Sequence, residues 1–215
     1  MKTYPIFLVK LEHSCCVVVG GGQVAARKVA GLRRASAQVT VISPDLCDPL
    51  DELAARGHIE VVDRDYRQGD LEDAFLVVAA TDDPEVNHQV WEEAETRNLL
   101  VNVVDDPEHC NFIAPSVVRR GPLSLAISTS GQCPAFSRHL RRRLESEFGP
   151  AYARYVEVLG DLRARVLDAL TMAERRKFWQ EIFESDVLSL LVSGDDVEAR
   201  HLADAILERN MPEEA

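Results

Sequence analysis

A doubly wound parallel α/β sheet is the fold class predicted for the first half of the chain, and three observations predict it. The β-branched run Cys15-Cys16-Val17-Val18-Val19 ends abruptly in three glycines and becomes a helical pattern. Strand-like and helix-like segments then alternate from residue 14 to residue 104, an order that requires crossover connections and therefore parallel strands. The run Phe75-Leu76-Val77-Val78-Ala79-Ala80 is apolar throughout, as expected of a strand covered on both faces. Past residue 112 the pattern changes to two strands and a basic helix, and past residue 149 to helices alone. The expected architecture is α/β: a Rossmann-like doubly wound sheet over 1–112, a small α+β segment over 113–148 and an all-helical C-terminal region over 149–215.

Taken in order, Pro5 to Leu11 is a short apolar segment expected as an edge strand or packed under the sheet, and Ser14 to Val19 is the first central strand. Gly20 allows the tight turn, Gly22 lets backbone approach a pyrophosphate, and Ala25 lets the helix pack close to its strand. The helix runs from Gly22 to about Ala35, its first amides and positive dipole end turned toward the phosphates. Val39 to Ile42 forms the second strand, ended by Ser43-Pro44-Asp45. In a nucleotide-binding unit the adenosine ribose is read at this strand end. The carboxylate available there is Asp45, with no arginine following it to meet a 2′-phosphate, which favours NAD over NADP.

Leu50 to Ala55 reads as a helix closed by Gly57, and Ile59 to Val62 as a third strand. Asp63 to Asp73 is polar loop with a helical turn. After the apolar strand at 75–80 comes Thr81-Asp82-Asp83-Pro84, in which Asp83 suits an N-cap and Pro84 the first helical position. A helix from Glu85 to Arg97 and a strand from Leu99 to Val104 complete about five strands. Ligands of such sheets sit beyond the carboxyl ends of the strands, so the glycines, Ser43 to Asp45, Thr81-Asp82 and Asp105-Asp106-Pro107 are the candidate positions.

Residues 113–118 and 123–128 read as two strands around Arg119-Arg120-Gly121-Pro122. Thr129-Ser130-Gly131-Gln132 then leads to Cys133-Pro134 and a helix bearing Arg138, His139, Arg141, Arg142 and Arg143, the one dense basic patch in the chain. It is either ordinary solvation near the later turns of a helix or a holder of an anionic ligand. Beyond Gly149-Pro150, Tyr152, Val156, Leu159, Leu162, Val166 and Leu170 recur at helical spacing. Thr171 with Glu174 forms a capping box for the helix carrying Phe178, Trp179, Ile182 and Phe183, and Asp195 with Glu198 repeats that logic. A hairpin alone is marginal, so the strands at 113–128 are expected to find partners in a second subunit.

With 215 residues and 46% hydrophobic content, the chain can bury a core in one moderate α/β domain and a smaller one. No window reaches the roughly eighteen apolar residues of a spanning helix, and the N-terminal apolar run is too short for a secretory signal, so a cytoplasmic protein is expected. A net charge of −12 argues against nucleic acid or anionic membranes as partners. The cysteines, Cys15, Cys16, Cys47, Cys110 and Cys133, are odd in number and lack a C-x-x-C pair. Reduced, mostly buried thiols are therefore expected, with neither a disulfide framework nor a permanent metal site.

The stretches PIFLVKLEHSCCVVVGGGQVAARKVAGL, VVAATDDPEVN, NVVDDPEHCNFIAPSVVRRGPLSLAISTSGQCPAFSRHLRRRLE and TMAERRKFWQEIF resemble the siroheme synthase family, more narrowly its precorrin-2 dehydrogenase module. The resemblance runs from Pro5 to about Phe183. Some relatives continue into a methyltransferase domain, and that activity is not expected here. The resemblance implies NAD-dependent removal of two hydrogens from precorrin-2 to give sirohydrochlorin, by a homodimer with 113–147 at the interface. The alternative is a bifunctional enzyme that is also a sirohydrochlorin ferrochelatase, with Fe²⁺ as a substrate.

Carried over residue by residue, the family's catalytic aspartate is Asp105, in Asn102-Val103-Val104-Asp105. The dinucleotide is expected at Gly20, Gly21, Gly22, Gln23, Val24, Pro44, Asp45 and Thr81, and the tetrapyrrole at Asn111, Ser128, Thr129, Ser130 and Arg138. Position supports Asp105 independently, since it follows a strand's carboxyl end, where it can act as a base or orient a pyrrole N–H. Asp followed by Asp-Pro is also ordinary turn chemistry. A non-catalytic NAD-sensing module fits the glycine turn equally well but has no use for the N-V-V-D segment or the hydroxyl-rich loop.

Overall fold

A computed structural model describes residues 2–211. The chain divides after Ala114 into two units. The first contains β1 (Cys15–Val19), α1 (Gln23–Arg34), β2 (Gln38–Ile42), α2 (Asp48–Ala55), β3 (Glu60–Val62), β4 (Leu76–Ala79), α3 (Pro84–Thr96) and β5 (Leu100–Val103). All five strands are parallel in the order β3-β2-β1-β4-β5. This is the doubly wound arrangement expected from the alternation of strands and helices, with its topological switch between β1 and β4.

The period of two along a strand explains why β1 is apolar throughout. Cys16 and Val18 face a core shared with Ala25, Val29 and Leu50, whereas Val17 and Val19 face one shared with Val90, Ala94 and Leu71. In register, Val17 lies between Thr40 and Val77, so the glycines leave β1 at the level where β2 and β4 also end.

Two local expectations are corrected. Residues 5–10 form no strand: Ile6, Phe7 and Val9 are exposed, and only Leu11, in a short 3-10 turn, reaches the core. The sheet ends at β3 and β5 without recruiting this segment, and of residues 5–11 Leu11 alone is buried, against the face covered by α1. Helix α2 begins at Asp48, before the predicted Leu50, because Asp48, Pro49 and Asp51 suit a first turn.

The predicted polar loop at 63–73 is held by a buried carboxylate. Glu93, on α3, is 6% exposed and accepts hydrogen bonds from the Tyr66 hydroxyl, from Gly69 N–H at 2.8 Å and from Arg97 Nε at 2.8 Å. Burial alone would raise the Glu93 carboxyl, but the bonds from Tyr66, Gly69, Arg97 and Leu71 outweigh it and hold the group below its ordinary 4.5. Burial, reinforced by Glu93, pushes the Tyr66 hydroxyl far above the usual tyrosine range. A carboxyl depressed in the folded state contributes stability above its unfolded pKa and loses it as pH falls through the folded value. Glu93→Gln is therefore expected to cost about 2–4 kcal/mol at neutral pH, and the deficit to shrink below about pH 4.5, in urea melts across pH.

The second unit contains β6 (Ser116–Arg120), β7 (Leu123–Ile127), α4 (Pro134–Glu147), α5 (Ala151–Ala169), α6 (Met172–Glu184), α7 (Val187–Ser193) and α8 (Asp196–Asn210). β6 and β7 form an antiparallel hairpin whose turn is Gly121-Pro122 alone. Arg119 and Arg120 belong to the ladder, opposite Ser124 and Leu123, where the sequence reading had them in the connection. Gly121 takes a φ of 53°, which lets the two-residue turn close.

Thr171 and Glu174 form the predicted capping box, with Glu174 Oε2 2.8 Å from Thr171 N. The second expected box does not form. Gly194 closes α7 in the left-handed region, and the Asp195 carboxylate accepts from the Ser193 hydroxyl at 2.8 Å instead of from α8. The aromatic stripe divides, with Phe178 and Ile182 fully buried among α5, α7 and α8 and Phe183 exposed. Among the described residues no helix is long and apolar enough to cross a membrane.

Candidate functional site

At the carboxyl ends of β1, β2 and β4 lies a cleft of about 380 Å³ whose lining includes Gly20, Gly21, Gly22, Gln23, Val24, Pro44, Asp45 and Thr81. The eight residues expected to touch a dinucleotide are thus brought to one place from three strand ends. The glycines there have different physical reasons. Gly20 has a φ of 115°, and a Cβ on it would stand 2.4 Å from Ala80 O. At Gly21 a Cβ would stand 1.8 Å from Asp45 O. Those two glycines let the β1 turn press against the ends of β4 and β2, a fit sealed by Gly20 N–H to Ile42 O at 2.9 Å and Cys47 N–H to Gly21 O at 2.8 Å. At Gly22 a Cβ would meet nothing within 4 Å. Its lack of a side chain is not required by the protein's own packing, and it leaves the backbone at the cleft open to approach.

Helix α1 starts from Gly22 with no side-chain cap among the described residues, so its first amides face the cleft side as donors outside the helix's own ladder. Ser43, buried at the end of β2, donates to Asp45 O at 2.7 Å and shapes the loop presenting Asp45. After β4, Thr81 is pinned by Asn87: the Thr81 hydroxyl lies 3.0 Å from Asn87 Oδ1, and Asn87 Nδ2 donates to Thr81 O at 3.0 Å. The Asp83 carboxylate caps α3, accepting from Glu85 N–H at 2.8 Å. Among the described residues four aspartates, Asp45, Asp65, Asp82 and Asp83, line the cleft, and no lysine or arginine does. An adenosine ribose with free hydroxyls finds acceptors here, whereas a 2′-phosphate finds like charge. The residues fit NAD.

Sequence reasoning did not assign Asp65, Tyr66 and Val86 to the cleft. Tyr66 carries no motif, and it arrives through the Glu93 anchor that folds its loop back toward the sheet. Asp83 was anticipated only as a cap.

Asp105 lies outside the lining of this cleft, in the turn after β5, the strand next to β4. It is exposed and takes a φ of 60°, the left-handed region that aspartate enters more readily than most residues. Val104 N–H donates to Ala79 O at 2.9 Å, and the Cys110 thiol lies 3.2 Å from Val103 O and 3.1 Å from Asp106 O. The turn is thereby tied on both sides of Asp105. Next to it, the Asp106 carboxylate lies 2.6 Å from His109 Nδ1, and that bond holds Asp106 below the usual carboxylate range. Asn111 has its amide engaged with strand backbone, accepting from Val101 N–H at 2.8 Å and donating to Leu99 O at 2.7 Å.

In the second unit the hydroxyl-rich loop precedes α4. Thr129 Oγ1 accepts from Cys133 N–H at 3.1 Å and lies 3.3 Å from Ser137 Oγ, while Ser128 Oγ accepts from Ser130 N–H at 3.0 Å. Arg138 is exposed one turn into α4. Arg120 is engaged otherwise, donating to Phe148 O at 2.6 Å and Glu145 O at 2.7 Å at the end of α4.

Residues 7–116 match a family model described as putative NAD(P)-binding. Residues 120–147 match the sirohaem biosynthesis protein central model, and residues 151–207 the sirohaem synthase dimerisation region. The siroheme synthase of Thioalkalivibrio sulfidiphilus is 42% identical over 98% of this chain and 43% of its own length. That of Methylobacillus flagellatus is 41% identical over 96% of this chain and 44% of its own. The chain thus spans less than half the length of these curated relatives. Among solved structures, SirC, a precorrin-2 dehydrogenase, superposes with a TM-score of 0.78 at 27% identity, covering 96% of this chain and 100% of that one.

Proposed function

Because the chain belongs to the sirohaem synthase family, we propose that it is an NAD-dependent precorrin-2 dehydrogenase, forming sirohydrochlorin on the way to siroheme. The observation that carries this reading is the dinucleotide cleft at the ends of β1, β2 and β4, with Asp105 following the adjacent β5. When bound, NAD⁺ supplies the hydride acceptor. The backbone of Gly20 to Val24 receives the pyrophosphate, Pro44 and Asp45 receive the adenosine ribose, and Thr81 the nicotinamide-side ribose.

Precorrin-2 gives up two hydrogens, one as hydride and the other as a proton. The Asp105 carboxylate is the acceptor for that proton and passes it to solvent, to which it is open. The substrate's acetate and propionate groups are assigned to Ser128, Thr129, Ser130 and the Arg138 guanidinium, whereas Asn111, expected as a further contact, has both its amide atoms bonded to the backbone of Val101 and Leu99. The active form is a homodimer, consistent with the match to a dimerisation region and with the exposed Leu167, Met172, Phe183, Val192 and Val197 on the helices. A reducing cytoplasm suits the exposed Cys133.

The test is an anaerobic assay with precorrin-2 generated in situ and NAD⁺ and NADP⁺ in parallel. NADH formation is expected, with NADP⁺ at least about tenfold poorer because of the aspartates in the cleft. No NADH above the protein-free control overturns the reading. Adding Fe²⁺ to the product then separates the two enzymatic readings: insertion faster than the spontaneous rate marks a ferrochelatase as well, and insertion at that rate a dehydrogenase alone.

A further inference from the structure

Lys28 is a cation without a stated task. It lies on α1, half-buried, and its ammonium donates to Asn102 Oδ1, on β5, at 2.7 Å. Among the described residues no carboxylate forms an ion pair with it. Burial draws the Lys28 ammonium below the usual lysine range, opposed by the nearby Cys110 and Asp105. Desolvating a charge for one bond to a neutral amide is unfavourable unless the charge does something further.

The bond is the first link of a chain. Asn102 is 8% exposed, and its Nδ2 donates to Phe112 O at 3.2 Å and lies 3.3 Å from Cys110 Sγ. The Cys110 thiol reaches the carbonyls of Val103 and Asp106, which bracket Asp105. Asp105 stands between them in the left-handed region, and the contacts of Cys110 with the carbonyls on either side hold the turn in that form. The polar chain therefore runs from the helix that opens at the glycine turn to the residue assigned as base.

We propose that Lys28 is a positioning residue: through Asn102 and Cys110 its ammonium fixes the turn that aims Asp105. One helix then serves both halves of the reaction, its N-terminus receiving the dinucleotide and its second turn holding the base. This assignment rests on the dehydrogenase reading above.

The experiment compares wild type, Lys28→Met, Lys28→Arg, Asp105→Asn and the Lys28→Met/Asp105→Asn double variant in the anaerobic assay, with NAD binding and thermal midpoint measured on each. Wild type is read first. If it forms no NADH the dehydrogenase reading itself has failed, which is distinct from failure of the present assignment. With wild type active, Lys28→Met is expected to lower kcat about 10- to 100-fold, with the KM for NAD and its dissociation constant within about twofold. Lys28→Arg, which keeps the charge and the donor, is expected to recover most of that loss.

In the Asp105→Asn background the same Lys28→Met change should cost less than about threefold, because the group it positions is gone. Should Lys28→Met lose its fold, Lys28→Leu, which also removes both charge and donor, takes its place in the cycle. A wild-type kcat in the uncharged variant overturns the assignment, and so does an equal loss in both backgrounds.

Discussion

Asp105→Asn is expected to lower NADH formation from precorrin-2 by about 100-fold or more, the size of effect that a lost proton acceptor produces. NAD binding should stay within about twofold of wild type. The two outcomes separate because Asp105 lies in the turn after β5 and does not line the cleft formed by the glycines, Asp45 and Thr81. Asparagine is close in size and also tolerates a φ of 60°, so the turn survives the change. The measurement pairs steady-state NADH formation with equilibrium NAD titration. A variant as active as wild type removes Asp105 from the mechanism, and a variant that fails to bind NAD places it in the cofactor site instead.

Gly22→Asp is expected to abolish NAD binding, weakening it at least about 100-fold, while the protein stays folded. A carboxylate at this position meets the pyrophosphate as a like charge at close range, which costs several kcal/mol, and each ~1.4 kcal/mol is a factor of ten. The fold survives because a Cβ on Gly22 has nothing within 4 Å and its φ of −81° is ordinary for any residue. The neighbouring Gly21→Ala is the control with the opposite balance. Its Cβ would stand 1.8 Å from Asp45 O, so the loop must shift, and a loss of roughly 1–3 kcal/mol in stability is expected. Thermal melts and NAD titration of both variants check the pair. Unimpaired NAD binding by Gly22→Asp would place the dinucleotide elsewhere.

Two glycines adjacent in sequence thus differ in what they do, and the difference lies beyond the reach of the sequence. G-G-G between a strand and a helix predicts a tight turn and a cradle. Only the structure shows that Gly20 and Gly21 are closed by the backbone of Ala80 and Asp45, and that Gly22 alone faces open space. The same division holds for the acidic loop at 63–73. Its polarity is legible, but its fold depends on Glu93, whose burial brings Tyr66 to the cleft from 27 residues away. A charged residue in a helix carries no mark of that role in the sequence.

Asn102 gives a third example, since in the sequence it is one letter of N-V-V-D. In the structure its amide joins Lys28 on one helix to Cys110 on the far side of the Asp105 turn.

What the sequence by itself determined is the fold class and the chemistry of the strand ends. Apolar runs of strand length, glycines at a turn and an N-cap before Pro84 are local signals, written in short stretches and read by period and position. What only the tertiary structure decided is which of these ends meet, which glycine is free, and which partners the half-buried Lys28 and the buried Glu93 find. Those depend on contacts between residues far apart in the chain, such as Lys28 with Asn102 and Tyr66 with Glu93, whose formation is set by packing and desolvation across the whole sheet.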